Sequence, residues 1–197
     1  PMLTQVWKDV ERRCASEGLA ADLVVVGDGP YRRQMEEELR GKRAHFLGFR
    51  HGDELSAIYA SSDLFVFPST TDTLGQVVME SQASGLPVLV TDQGGPKEVV
   101  EHSVTGFVLD ARNIPEWVTT IVELVADDSR RAAMGQRAAA AMRRFDIANT
   151  FEHFWEVHMQ VWRERLAQRG GEPRSGASRS TSPGAGAGRT EPDLAGV

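Results

Sequence analysis

The sequence predicts an α/β protein built on a doubly wound parallel sheet. Three observations carry that expectation. Short apolar runs are bounded by Gly and Pro, segments with the 3.6-residue period of a helix lie between them, and successive runs are about 20 residues apart. Runs of this kind suit strands buried on both faces, and the spacing suits right-handed strand–helix–strand crossovers.

The first helix is marked by Val6, Trp7, Val10 and Cys14, which recur on one helix face. Leu23–Val26 reads as a strand, followed by Gly27-Asp28-Gly29-Pro30 and a Glu- and Arg-rich helix through Arg40. Residues 45–47 form the next strand, with a turn at Gly48 and a helix over 53–60 in which Asp53 is the expected cap. Residues 64–67 lead through Pro68 and Ser69 into a polar loop and a helix beginning near Leu74. That helix stops at Ser84-Gly85, because Pro87 cannot continue it. Residues 87–90 form a fourth strand, with a Gly94-Gly95-Pro96 turn and a short helix to about Glu101. A last strand over 107–109 precedes helices over Ile114–Ala126, 129–144 and 147–168.

Composition narrows the function classes. The length of 197 residues allows one domain and a remnant, and a 41% hydrophobic share excludes wholesale disorder. No apolar run approaches the roughly 18 residues of a membrane span. A single cysteine, Cys14, excludes a disulfide framework, and a net charge of −6 argues against a general nucleic-acid binder. Residues 1–168 form the expected domain. The Gly-, Ser-, Pro- and Arg-rich stretch 169–197 reads as a disordered tail. Targeting is not readable from a chain that opens at Pro1.

In a doubly wound sheet, sites lie in the loops at the carboxyl ends of the strands, here 27–30, 48–53, 68–76 and 91–97. The first lacks the third Gly of a dinucleotide fingerprint and reads as a tight turn with Pro30 at the first helical position. The third is richer. Asp72 stands at a helix mouth, Gly75 falls in the first turn, and Glu80 sits further in between Met79 and Ala83. A Gly there lets a ligand approach exposed N–H groups, and the helix dipole favours a phosphate. A carboxylate in Glu80's place suits a pair of vicinal hydroxyls. Two plainer readings stay open at this point: Asp72 as an N-cap and Glu80 as a surface residue.

Other chemistries have weaker support. His51 with Asp53 and Glu54 reads as a polar turn, and His153 and His158 do not share a helix face, so no metal site is expected. Gly-x-Ser-x-Gly is absent, and Lys97 reads as a solvated helix start. Paired acids also serve glycoside hydrolases, but a helix-mouth Gly is better explained by phosphates. Phe151, Phe154, Trp155, His158 and Trp162 form a stripe on the last helix, which ordinarily means core packing.

Five blocks occur in one order: Gly27-Asp28-Gly29-Pro30, residues 45–49, residues 63–69, residues 72–88, and Gly94-Gly95-Pro96-Lys97-Glu98. Together they resemble the carboxyl-terminal domain of the family 4 retaining glycosyltransferases, over about residues 23–107. The resemblance implies a Rossmann-like domain, the carboxyl-terminal half of a two-domain GT-B enzyme. It implies that Glu80 binds the donor ribose and that Asp72 contacts hydroxyls of the transferred sugar. The family usually has Glu at that first acid. Backbone N–H groups of Leu74, Gly75, Gln76 and Val77 are implied to hold the sugar and diphosphate, and Gly48, Phe49, Arg50 and His51 to lie over the nucleobase.

The implied activity is hexose transfer from a UDP- or GDP-sugar with retention, with no further cofactor. The acceptor would be a glycan, lipid or small molecule held by an amino-terminal domain, and no nucleic acid is expected as a partner. The family's first strand, with its basic Arg…Lys pair, and the acceptor domain precede the matched region, so the chain is expected to be the donor-binding part alone, with part of the stripe on its last helix uncovered and a tendency to associate. The implied location is cytoplasmic, with room for a peripheral position at the inner face of the membrane. Two alternatives remain: a non-catalytic nucleotide-sugar-binding fragment, and a GT-B sugar-nucleotide epimerase.

Overall fold

Side-chain alternation along short strands sets the architecture. The computed structural model describes residues 2–170. In order these form α1 (Met2–Ser16), β1 (Leu23–Val26), α2 (Arg32–Glu38), β2 (Ala44–Gly48), α3 (Gly52–Ala60), β3 (Phe65–Phe67) and α4 (Gln76–Ala83). After them come β4 (Val88–Thr91), β5 (Gly106–Leu109), α5 (Ile114–Ala126), α6 (Asp128–Met142) and α7 (Ile147–Gly170), with short 3-10 turns at Pro96–Val99 and Arg143–Phe145. One compact unit ends at Thr150 and a second begins at Phe151.

Every ladder is parallel, as the sequence predicts. β1 pairs with β2, and β4 lies between β3 and β5. The ladders form two sheets, β1-β2 and β3-β4-β5, where the sequence suggests a single one. A ladder needs a neighbouring backbone within about 4.8 Å. Among the described residues neither β1 nor β3 has such a neighbour on its second edge.

The two-residue period of a strand sends alternate side chains to two cores. Leu23, Ala44, Phe46, Leu64, Val66, Leu89, Phe107 and Leu109 pack with Val6, Trp7 and Val10 of α1 and with Trp117, Ile121 and Leu124 of α5. Phe65, Phe67, Val88, Val90 and Val108 pack on the other side with Val78 of α4 and with Val99 and Val100. Helices therefore cover both faces, and β4, buried along its whole length, runs through the middle. At β1 the second face is uncovered: Val24 and Val26 are exposed, and Val24 lines a shallow hollow with Leu47, Ala57 and Ile58.

Caps fix the helices behind this framework. Asn113 accepts from Glu116 N–H and donates back to its carboxylate, and Asp127 accepts from Arg130 N–H. Arg131 closes the end of α5 by donating to the carbonyls of Leu124 and Val125, and pairs with Asp128.

Four sequence expectations are corrected. Pro30 lies in a Gly29–Arg32 turn, where Arg32 N–H donates to Gly29 C=O, and the helix starts only at Arg32; the fixed φ of Pro suits the second place of that turn. Asp53 does not cap α3. His51 holds the cap position, and Asp53 stands with Glu54 in the first turn, where a carboxylate suits the dipole. Gly75 precedes α4 as its N-cap, at φ 75° and ψ 40°, a left-handed conformation that a side chain disfavours. For the stripe on α7 the ordinary core reading gives way to the uncovered one: Phe151, Phe154, Trp155 and Trp162 are exposed. The predicted tail from 171 onward lies outside the described residues, while 169 and 170 complete α7.

Candidate functional site

The four loops at the carboxyl ends of the strands associate in two pairs. The first joins 27–30 to 48–51. Gly27 N–H donates to Gly48 C=O at 2.9 Å, and Arg32 pairs with Asp28 (3.6 Å) and Glu36 (2.8 Å). The Arg32 guanidinium lies 3.0 Å from the place a Cβ on Gly48 would take, so this loop passes directly under a cation. Beyond Gly48, the exposed Phe49 ring stacks on His51, with centroids 5.8 Å apart and planes 11° from parallel. Arg50 folds back onto Phe49 C=O (2.8 Å) and faces Glu54 (3.6 Å). The result is a flat aromatic shelf with a tethered guanidinium beside it.

The second pair joins 68–76 to 91–97. Gly95 N–H donates to Asp72 C=O (2.9 Å), and the Thr91 hydroxyl donates to Ser69 C=O (2.7 Å). A Cβ on Gly94 would lie 2.6 Å from Asp72 O, and one on Gly95 would lie 1.9 Å from Thr73 O. Only glycines let the two backbones touch here. Gly75 in turn presses on Pro96, which would lie 3.0 Å from an added Cβ. Lys97 ties off the second loop by donating to Asp92 C=O at 3.0 Å.

Within this frame the Asp72 carboxylate is turned inward. Its Oδ1 accepts from Leu74 N–H at 3.0 Å and Gly75 N–H at 2.5 Å. The N-cap reading left open by the sequence is therefore not met: Gly75 holds the cap position of α4, and Asp72 Oδ1 closes a turn that precedes the helix. Two of the four amides expected to face a ligand are thereby engaged by the protein itself. Gln76 and Val77, the first helical residues, lack intrahelical acceptors by the geometry of any helix start.

Glu80 is half-buried, not on open surface. The Tyr59 hydroxyl donates to its Oε2 at 3.5 Å, and the Gln76 side-chain amide donates to its Oε1 at 3.3 Å. Tyr59 is buried at the end of α3, its ring edge-on to Phe65 at 5.9 Å. Burial, then the charge of Glu80 and the hydrogen bond to it, push the Tyr59 phenol up to about 12, so it stays a donor at neutral pH.

All the residues singled out from the sequence thus stand at carboxyl ends of strands or on the helices that follow. Glu80, Gln76, Asp72 and Gly75 are brought together, while 48–51 connects to them through α3. Sequence reasoning missed Tyr59, the side chain of Gln76 and the buttressing role of Gly94 and Gly95. The glycine pair was visible as a turn signal. Tyr59 was not, because its partner is 21 residues away on another helix. Among the described residues no cluster of His, Cys, Asp and Glu suits a metal, and no helix is long and apolar enough to cross a membrane. Burial raises the pKa of the Cys14 thiol, which suits packing better than nucleophilic work.

Comparison with known proteins adds an independent line. The family model "Glycosyl transferases group 1" matches residues 1–127. The sulfoquinovosyl transferase SQD2 of Arabidopsis thaliana is 37% identical over 129 residues, covering 64% of this chain and 25% of that protein. A GDP-mannose-dependent alpha-mannosyltransferase of Corynebacterium glutamicum is 39% identical over 112 residues, covering 57% of this chain and 27% of that protein. The chain thus spans about a quarter of the length of these relatives. Among solved structures, a TarM variant from S. aureus in complex with UDP, fondaparinux and alpha-GlcNAc-glycerol superposes with a TM-score of 0.68. It is 19% identical and covers 78% of this chain and 31% of that one, a likeness of fold.

Proposed function

The chain belongs to the glycosyl transferases group 1 family, and from that premise we propose that it is the donor-binding part of a hexosyltransferase using a UDP- or GDP-sugar. In the complete enzyme the hexose passes to an acceptor held by a further domain, with retention of configuration. The observation that carries this reading is Glu80: a half-buried carboxylate with a donor on each oxygen, one turn inside a helix whose mouth is locked by Gly94, Gly95 and Pro96.

Each part has a task in that reaction. Glu80 accepts from the two ribose hydroxyls of the donor. The N–H groups of Gln76 and Val77, with the positive end of α4, face the diphosphate, whose charge grows as the glycosidic bond breaks. Because the glycine-locked loops fix these dipoles beforehand, no reorganisation is needed when that charge develops. Asp72 spends Oδ1 on its own loop and has Oδ2 left for a hydroxyl of the transferred sugar. Phe49 on His51 offers a face for the nucleobase, with Arg50 alongside.

Calorimetric titration of UDP-, GDP- and ADP-sugars into wild type and Glu80→Ala tests the reading. Wild type is expected to prefer one base, and Glu80→Ala to weaken that donor by about tenfold or more, the scale of a lost charge-assisted hydrogen bond. Unchanged binding of every donor by Glu80→Ala refutes the ribose assignment.

A further inference from the structure

The Glu80 carboxylate has a donor on each oxygen before any ligand arrives. Tyr59 reaches Oε2 from α3, and Gln76 reaches Oε1 from one turn earlier on α4. An ionised carboxylate offers about four lone-pair sites, so two donors leave two acceptor positions free. That remainder matches the demand of a vicinal diol, one acceptor for each hydroxyl. Tyr59 is held in turn: it is 8% exposed, its ring is edge-on to Phe65, and Phe65 stacks on Phe67 at 6.1 Å. Its hydroxyl is thus mounted on the sheet. Glu80 is a three-torsion side chain of a short helix and has no comparable ring packing of its own.

We propose that Tyr59 is a positioning residue that orients Glu80 for a ribose diol and so sets the discrimination between ribonucleotides and 2′-deoxyribonucleotides. The inference rests on the reading of Glu80 as the ribose acceptor. Tyr59 does not touch the ligand; it fixes which lone pairs of Glu80 face outward. The phenol remains protonated across the neutral range, so the orientation is not lost to titration. A carboxylate free to rotate would meet a single hydroxyl nearly as well as a pair, and the preference would narrow.

The test titrates UDP and GDP, each beside its 2′-deoxy counterpart, into the full chain as wild type, Tyr59→Phe, Glu80→Gln and the double variant. Phe keeps the ring and its contact with Phe65 while removing only the hydroxyl. Wild type is expected to favour the ribonucleotide, and Glu80→Gln to abolish that preference. Tyr59→Phe should weaken the ribonucleotide by about 3- to 10-fold, leave the deoxy form nearly unchanged, and add nothing in the double variant. Equal weakening of both forms by Tyr59→Phe, or a preserved preference, overturns the positioning role while leaving Glu80 in place. An unchanged preference in Glu80→Gln, or no binding of either probe by wild type, overturns the ribose reading beneath it. A ligand-free arm follows the phenol directly. The chain has two tyrosines, so in a Tyr31→Phe background alkaline absorbance titration reports Tyr59 alone. Adding Glu80→Gln should lower its midpoint, and an unmoved midpoint overturns the contact.

Discussion

Replacing Gly95 by Ala gives the sharpest test of how the site is held together. The new Cβ would lie 1.9 Å from Thr73 O, 2.5 Å from Thr73 C and 3.1 Å from Leu74 N. An ordinary carbon–oxygen contact needs about 3.3 Å, so one backbone must retreat by roughly 1.4 Å, and no side chain can yield instead. The retreat strains the Gly95 N–H to Asp72 C=O bond, now 2.9 Å, and moves the turn that carries Leu74 and Gly75. Overpacking of this kind costs about 1–3 kcal/mol, or roughly 3–10 °C in melting temperature for a unit of this size. Displacement of a binding loop by about 1 Å costs up to about a hundredfold in function, so donor binding should suffer more than stability. Gly29→Ala is the control, because nothing lies within 4 Å of its added Cβ. Thermal melts and donor titration of both variants decide the matter. Wild-type melting and affinity in Gly95→Ala would refute the claim that the glycine pair positions the donor loop.

Three further outcomes are expected. Tyr59 has its folded pKa raised from 10.0 to about 12, so its contribution is whole below pH 10 and is lost as pH climbs through 12. That is about 2–3 kcal/mol at most, and denaturant melts of wild type against Tyr59→Phe between pH 9 and 12 should show the variant losing less. Arg131→Ala removes the donor to the Leu124 and Val125 carbonyls and the partner of Asp128, so about 1–3 kcal/mol of stability should go, with donor affinity unchanged. The exposed rings of Phe151, Phe154, Trp155 and Trp162 should make the chain self-associate and bind apolar dyes. Light scattering of a variant with Ser at all four should show association fall; a monodisperse wild type that binds no dye would count against this.

The inner strand β4 was legible because burial on two faces leaves a mark in every residue. Val88–Thr91 is apolar apart from its last residue and lies buried throughout, and the alternation of Phe65 and Phe67 against Val66 follows from the pleat alone. The helix expected near Ile114–Ala126 forms over those residues, with Asn113 as its cap and Pro115 in its first turn. What escaped was long-range. Whether β1 meets β3 depends on backbone approach, which no local pattern encodes. Tyr59 carries no local signal, because its partner Glu80 lies 21 residues on, on another helix. The aromatic stripe on α7 carried the pattern of a core residue set, but pattern states only that a face is apolar, not that anything covers it.

Asp72 shows how a short acid changes the meaning of a position. The sequence offered two roles, capping and ligand contact, as competitors. In the structure they compete for the same carboxylate: Oδ1 satisfies Leu74 and Gly75 N–H, and only Oδ2 remains. An Asp can close this two- and three-residue turn because its carboxylate is one bond from Cβ. A Glu, one methylene longer, is a poor fit to so tight a ring and leaves the amides open to a ligand. On the proposed donor-site reading, Asp in this place moves anion recognition forward along the chain, from Leu74 and Gly75 to Gln76 and Val77, where the helix still has N–H groups to give. The same reading leaves the acid one oxygen for a sugar instead of two. It then assigns more of the donor selectivity to Glu80, and so more weight to the two donors that support it, Tyr59 and Gln76.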